Sequence, residues 1–185
     1  FSGLIGEQLI MAWTKKILRV NLTDRTIKTE PLNMGWANDY LGQRGLATRY
    51  FGEEVDATVD PLSADNKMIF ATGPLTGTMA STGGRYSVIT KGALTNAIAC
   101  SNSGGFFGPE LKNAGWDMVI LEGKASEPVY LYIENDKAEL RSGEHIWGKS
   151  VWETDHILHK QLQDPQVRIA AVGRAAETGC LYSAI

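Results

Sequence analysis

This sequence predicts an α+β fold that is rich in strand, and three observations predict it. Short apolar or alternating runs bounded by turn residues recur along the 185 residues, as in KMIFAT, WDMVILE and VYLYIE. Only a few stretches carry helical spacing or a helix-start signal. No regular β-α-β alternation, internal repeat or low-complexity tract imposes a parallel or solenoid architecture.

Residues 15–22 (KKILRVNL) alternate polar and apolar, Thr23-Asp24-Arg25 turns the chain, and residues 26–30 (TIKTE) return, a β-hairpin with one buried face. Asn33 suits the N-cap of a helix over 34–41. Gly42-Gln43-Arg44-Gly45 interrupts the helical spacing, which resumes over 46–54 with Leu46, Tyr50 and Phe51 on one face. A turn-rich connection at 59–63 leads to a buried strand at 67–72. Two more strands are predicted over 85–90 and 95–100, the glycines around them marking tight turns or close backbone approach. A short helix over 106–114 stops at Gly115. Residues 116–122 and 129–134 are strongly strand-like, Asn135-Asp136 turns, and 138–141 returns. Ser150 and Glu153 have capping-box spacing and open a helix to about residue 163, ended by Asp164-Pro165. Strands are predicted at 167–172 and again at 180–185.

The length allows one domain of ordinary size with a real core. A composition of 43% hydrophobic and 21% charged residues is that of a globular chain, and a net charge of −3 with no basic block argues against nucleic acid as a partner. No stretch has the apolar length of a membrane span. Two cysteines, Cys100 and Cys180, with no CxxC pair favour a reducing, cytoplasmic compartment, although a disulfide between them stays open. The five tryptophans suit core and interface packing. Residues 1–10 fit no pattern and have no signal-peptide architecture, so the native start is expected at Met11 and the ten residues before it as an upstream or non-native leader. The run RIAAVGRAAETGCLYSAI ends inside what looks like a strand, so the chain is expected to be a fragment, with residues 11–185 one domain incomplete at its C-terminal end.

The chemistry concentrates in residues 72–108, where eight of the 20 glycines fall. Arg85 follows two glycines and precedes a strand; its planar fork matches phosphate or carboxylate, and the alternative is a surface arginine at a strand start. Asn102 sits in Ser101-Asn102-Ser103-Gly104-Gly105. Its amide oxygen is a hard ligand suited to Mg²⁺, and the glycines expose backbone N–H groups to an anion. Taken alone, this asparagine equally suits a helix cap or an Asx turn. Gly42-Gln43-Arg44-Gly45 is another glycine-flanked arginine; it is not a Walker A loop, and no GxGxxG joins a strand to a helix. His156 and His159 share a helix face but lack a nearby third ligand, which favours a solvated face. Cys100 better suits a buried apolar role than a reactive one. No Ser-His-Asp set or carboxylate pair stands out, and no catalytic residue is assigned.

The segments KKILRVNL, LGQRGLATRYF, VDPLSADNKMIFATGPLTGT, STGGRYSVITKGALTNAIACSNSGGFFGPELKNAGWDMVILEGKASEPVYLYI, IWGKSVWET and VRIAAVGRAAE, in one register from Trp13 to Ile185, resemble the N-terminal domain of the aldehyde:ferredoxin oxidoreductase family. That resemblance implies a tungsten, sometimes molybdenum, bis-pterin enzyme. Its N-terminal domain is a base of two β-sheets related by a pseudo-twofold axis on which the pterins lie. It implies that Arg85 contacts pterin phosphate, that Asn102 binds pterin and gives its oxygen to a Mg²⁺ bridging the two pterin phosphates, and that Gly104 makes the second glycine-loop contact. No role is carried onto Arg44. Later domains are implied to bring a four-cysteine [4Fe-4S] site, which Cys100 and Cys180 do not match, and the acid-base residues. The implied reaction oxidises a small aldehyde to a carboxylic acid with oxygen from water, two electrons passing through the cluster to ferredoxin, in a homo-oligomer. The second pterin loop is expected beyond Ile185, so the fragment alone is expected to be inactive. Two other readings stay open. One is a same-family enzyme with another reaction, such as aryl-CoA reduction; the other is a non-catalytic phosphate-binding module, which a cysteine cluster downstream would exclude.

Overall fold

The computed structural model describes residues 12–184. The expected leader at 1–10, the start at Met11 and the last position of the expected 180–185 strand lie outside the described residues.

The hairpin of β1 (Lys16–Asn21) and β2 (Thr26–Pro31) is followed by helices α1 (Met34–Tyr40) and α2 (Gln43–Glu54). Strands β3 (Lys67–Thr72), β4 (Tyr86–Lys91) and β5 (Ile98–Ser103) come next, then α3 (Phe107–Asn113) and β6 (Met118–Glu122). A second hairpin, β7 (Val129–Glu134) and β8 (Lys137–Ser142), precedes α4 (Val151–Leu162) and the short α5 (Arg174–Glu177). The α+β class holds. Six strands form one sheet in the order β2-β1-β6-β3-β4-β5, and β7-β8 form a second sheet of two. Within the large sheet β1 and β6 run parallel and every other pair is antiparallel.

Alternation along the strands divides the core between the two faces of the large sheet. Ile17, Ile69, Ala71, Ile89, Met118 and Ile120 face α1 and α2, where Leu46, Ala47, Tyr50 and Phe51 meet them. Leu18, Val20 and Val119 face the other way, toward Leu111, Trp116 and the second hairpin. The two expected caps form: Asn33 accepts from the backbone of Trp36, and Ser150 with Glu153 closes a capping box on α4.

Four expectations are corrected. Helix α2 begins at Gln43 rather than Leu46, because the Gly42 carbonyl accepts from Leu46 and starts the helix inside the glycine-flanked segment. Strand β5 spans Ile98–Ser103 rather than 95–100, because Gly92 and Ala97 close a loop that carries Thr95 and Asn96, and pairing resumes at Lys91 with Ile98. Residues 167–172 and 180–184 form no strand. Their apolar alternation supplies one face, but a strand also needs a neighbour for its backbone N–H and C=O groups, and among the described residues none pairs with them. The packing expected of the tryptophans holds for the buried Trp116 and the part-buried Trp13 and Trp36, whereas Trp147 and Trp152 are exposed.

Both ends of α2 are fastened to the sheet. At its C-terminal end Arg19 of β1 donates to Glu30, Glu54 and Glu122 at 2.9, 2.8 and 3.1 Å, and Lys67 of β3 reaches Glu54 and Glu122 at 2.7 and 2.8 Å. The hydrogen bonds that the Arg19 guanidinium donates to Glu54, opposed by burial, hold it above its ordinary range. Burial pushes Glu54 and Glu122 up, but their bonds to Lys67 and Arg19 outweigh it and leave both below the ordinary 4.5. A depressed carboxyl stabilises the fold above its unfolded pKa and loses that contribution as pH falls through the folded one. Stability therefore declines below about pH 4.5. Replacing Arg19 by Gln is expected to cost on the order of 2 kcal/mol at neutral pH and to flatten the acid limb. Urea midpoints between pH 3 and 7, compared for the two proteins, check this; coincident curves would show that the network contributes nothing.

Candidate functional site

The N-terminal end of α2, the glycine-rich turns at 73–84 and the edge strand β5 meet at one corner of the large sheet. Strand β4 is nearly all buried, and it is flanked by β3 and β5. Arg85 stands just before it, exposed. Its Nη1 donates to Asn102 Oδ1 at 2.9 Å. Asn102 Nδ2 donates in turn to Ser87 Oγ at 3.1 Å. Strand register explains the second bond, since Ser87 and Asn102 lie directly opposite each other on β4 and β5.

The backbone that presents Arg85 is held independently of its side chain. The Arg85 carbonyl accepts from Gln43 Nε2 at 3.1 Å and from Thr76 Oγ1 at 2.9 Å, and Thr76 Oγ1 accepts from Gly73 N–H at 2.8 Å. Gly84 is needed for close approach: a Cβ there would lie 2.7 Å from the Gly105 carbonyl oxygen. Gly105 has φ +79, the left-handed region that glycine occupies without penalty. Around Gly104 and Gly105 nothing lies within 4 Å of the Cβ position, so this stretch of backbone borders open space.

The structure therefore brings Arg85, Asn102 and Gly104 to the same end of the β4-β5 pair, with Gln43 from the GQRG segment beside them. Arg44 is exposed. Asn102 is a strand residue on β5, not the helix cap or turn residue that its neighbours suggested. Cys100, expected to be buried, is exposed on the same edge strand, and neither cysteine is disulfide-bonded. His156 is exposed and His159 bonds the Asp155 carbonyl. Among the described residues no three His, Cys, Asp or Glu side chains converge as metal ligands, and no helix is long and apolar enough to cross a membrane.

Three residues of this corner carried no assignment in sequence: Gln43, Thr76 and Ser87. The only signal for the first two is their position as polar residues between glycines, in Gly42-Gln43-Arg44-Gly45 and Gly73-Pro74-Leu75-Thr76-Gly77. Ser87 sits in an apolar strand, where a lone hydroxyl is ambiguous.

The corner can bind an oxyanion. A guanidinium keeps four N–H donors after giving one to Asn102, and the exposed Gly104–Gly105 backbone stands beside it. Asn102 Oδ1 keeps a second lone pair, which can serve a hard cation. The residues present thus fit a phosphorylated ligand with an associated divalent ion.

The chain is similar to known proteins over nearly its whole length. Residues 17–185 match the family described as aldehyde ferredoxin oxidoreductase, N-terminal domain. The chain is 54% identical over 170 residues to the tungsten-containing aldehyde ferredoxin oxidoreductase of Pyrococcus abyssi, covering 92% of this chain and 28% of that relative. It is 49% identical, with the same coverage, to the enzyme of that name from Pyrococcus furiosus. It is 35% identical over 156 residues to the WOR-like subunit of an aliphatic sulfonate oxidoreductase from P. furiosus, covering 83% of this chain and 25% of that relative. Among solved structures, the active-site complex of benzoyl coenzyme A reductase with 1,5-dienoyl-CoA superposes with a TM-score of 0.88 at 41% identity, covering 90% of this chain and 26% of that one. The chain thus spans little more than a quarter of the length of these relatives. With a matched family over nearly all of its residues, this chain belongs to the aldehyde ferredoxin oxidoreductase N-terminal domain family.

Proposed function

We propose that this chain is the cofactor-binding N-terminal part, residues 11–185, of a tungsten-containing oxidoreductase that oxidises aldehydes to carboxylic acids with ferredoxin as electron acceptor. The observation that carries the proposal is the Arg85–Asn102 pair, exposed beside the open Gly104 backbone in a chain of this family. Arg85 would turn its remaining donors to a pterin phosphate, Asn102 would offer the free lone pair of Oδ1 to a Mg²⁺, and Gly104 would let a phosphate approach the backbone. When bound, the tungsten (or molybdenum) bis-pterin supplies the two-electron redox chemistry. What these residues do is bind and orient it, since a charge-assisted fork fixes both distance and direction. The [4Fe-4S] cluster, the acid-base groups and the aldehyde pocket belong to other parts of the protein, a cytoplasmic homo-oligomer.

A second reading is a family member that reduces an aryl-CoA, favoured by the likeness to the benzoyl coenzyme A reductase complex. The higher identity to the aldehyde enzymes supports the first. Turnover of the full-length protein with an aldehyde and ferredoxin, against turnover with an aryl-CoA, separates the two.

For the shared cofactor role, Asn102→Leu in the full-length protein is expected to lower pterin and tungsten per polypeptide about tenfold, a loss of order 1.4 kcal/mol. Elemental and pterin analysis of the purified protein checks it. A full complement in the leucine variant would leave Asn102 with a role in β5 alone.

A further inference from the structure

Ser87 is fully buried, at 0% exposure, on the sheet face that carries the apolar Ala71 and Ile89. It lies between Ala71 on β3 and Asn102 on β5, and it alternates with Ile89, which is also fully buried. An alanine or valine would fit that pattern without the loss of hydration that a buried hydroxyl suffers. The hydroxyl has a side-chain partner that accounts for it: Asn102 Nδ2, at 3.1 Å.

Asn102 itself stands on an exposed edge strand, where little else restrains it. The terminal torsion of an asparagine is broad, so an unrestrained amide samples many orientations. Its two ends are chemically opposite, one a donor and one an acceptor. In this structure the amide is gripped at both ends. Ser87 takes the NH₂ group, and Oδ1 is thereby turned outward to Arg85 Nη1 at 2.9 Å. Reversing the amide would set its NH₂ against the guanidinium, donor against donor. When Arg85 gives its donors to a ligand, Ser87 is the grip that stays.

We propose that Ser87 is a positioning residue for the phosphate site: its buried hydroxyl holds the Asn102 amide with Oδ1 turned to Arg85 and presented to the ligand that Arg85 would bind. The proposal rests on the cofactor role given above to Asn102. Ser87 touches neither cofactor nor substrate, and its effect reaches the ligand only through Asn102. Holding one orientation in advance removes an ordering step from binding.

The test is a double-mutant cycle in the full-length holoprotein: Ser87→Ala, Asn102→Ala and the two together, with the rate of pterin and tungsten loss on dilution as the readout and the unfolding midpoint recorded alongside. Ser87→Ala is expected to speed cofactor loss about three- to tenfold in the wild-type background, the scale of one neutral hydrogen bond. In the Asn102→Ala background it should add less than about twofold. Any general damage from the lost hydroxyl would appear equally in both backgrounds, so the ratio isolates the path through Asn102. If Ser87→Ala retains cofactor like wild type while Asn102→Ala does not, Ser87 has no positioning role and the cofactor reading stands. Equal acceleration in both backgrounds makes Ser87 a packing residue and also overturns the proposal. If Asn102→Ala retains cofactor like wild type, the cofactor role of Asn102 fails first and the positioning role falls with it.

Discussion

Replacing Asp117 by Ala destabilises this fold by about 3–5 kcal/mol, the usual consequence of removing one partner from a buried ion pair. Asp117 and Lys112 are 2% and 8% exposed, and their side chains are in direct contact. The carboxylate also accepts from the backbone N–H groups of Thr14 and Lys15, at 3.1 and 2.7 Å. Lys112 Nζ donates further to the carbonyls of Ala12 and Gly73, at 3.0 and 3.3 Å. Alanine would leave a buried ammonium without its counter-charge and two backbone donors without acceptors. One carboxylate thus fixes the entry to β1, the end of α3 and the first glycine of the site region. At about 2–4 °C per kcal/mol for a domain of this size, the unfolding midpoint should drop by roughly 6–20 °C. Lys112→Met combined with Asp117→Ala should cost less than the sum of the singles, because no charge is then stranded. Thermal unfolding of the four proteins measures this. A drop of under about 1 kcal/mol for Asp117→Ala would mean that water reaches the pair.

Much of this fold was legible in sequence because local rules and tertiary context agree. The bounds of β3 and β7 match the apolar runs residue for residue, and Asn33 and Ser150 cap their helices as their types suggest. Agreement fails where a neighbour decides. Residues 167–172 have the alternation of a strand, yet no strand among the described residues pairs with them. Residues 98–103 are polar at their end, yet β4 supplies a partner and extends them into a strand that takes in Asn102. Half of the corner was visible for the same reason. Arg85, Asn102 and Gly104 announce themselves by residue type beside glycines. Gln43, Thr76 and Ser87 are ordinary polar residues whose role depends on what folds against them. Nothing local says that the side chain of Gln43 meets the Arg85 carbonyl 42 positions along the chain. The Lys112–Asp117 pair is likewise invisible, since a lysine on a short helix and an aspartate before a strand usually face water.

Arg85→Ala would strip the proposed phosphate site of its only assigned charge while leaving the scaffold in place. The side chain is exposed, and the backbone carbonyl stays held by Gln43 and Thr76, so folding should be untouched. A charge-assisted phosphate contact contributes about 1.5–3 kcal/mol, which weakens cofactor binding roughly 10- to 150-fold. Arg85→Lys should fall between wild type and alanine, because it keeps the charge but loses the planar fork that reaches ligand and Asn102 together. The decisive measurement is tungsten and pterin per polypeptide in the full-length protein, purified in parallel as wild type, Arg85→Lys and Arg85→Ala and followed through dilution. The predicted result is a graded loss in that order with unchanged unfolding midpoints. An alanine variant that keeps a wild-type complement of tungsten and pterin would contradict the assignment of this corner to the cofactor phosphate.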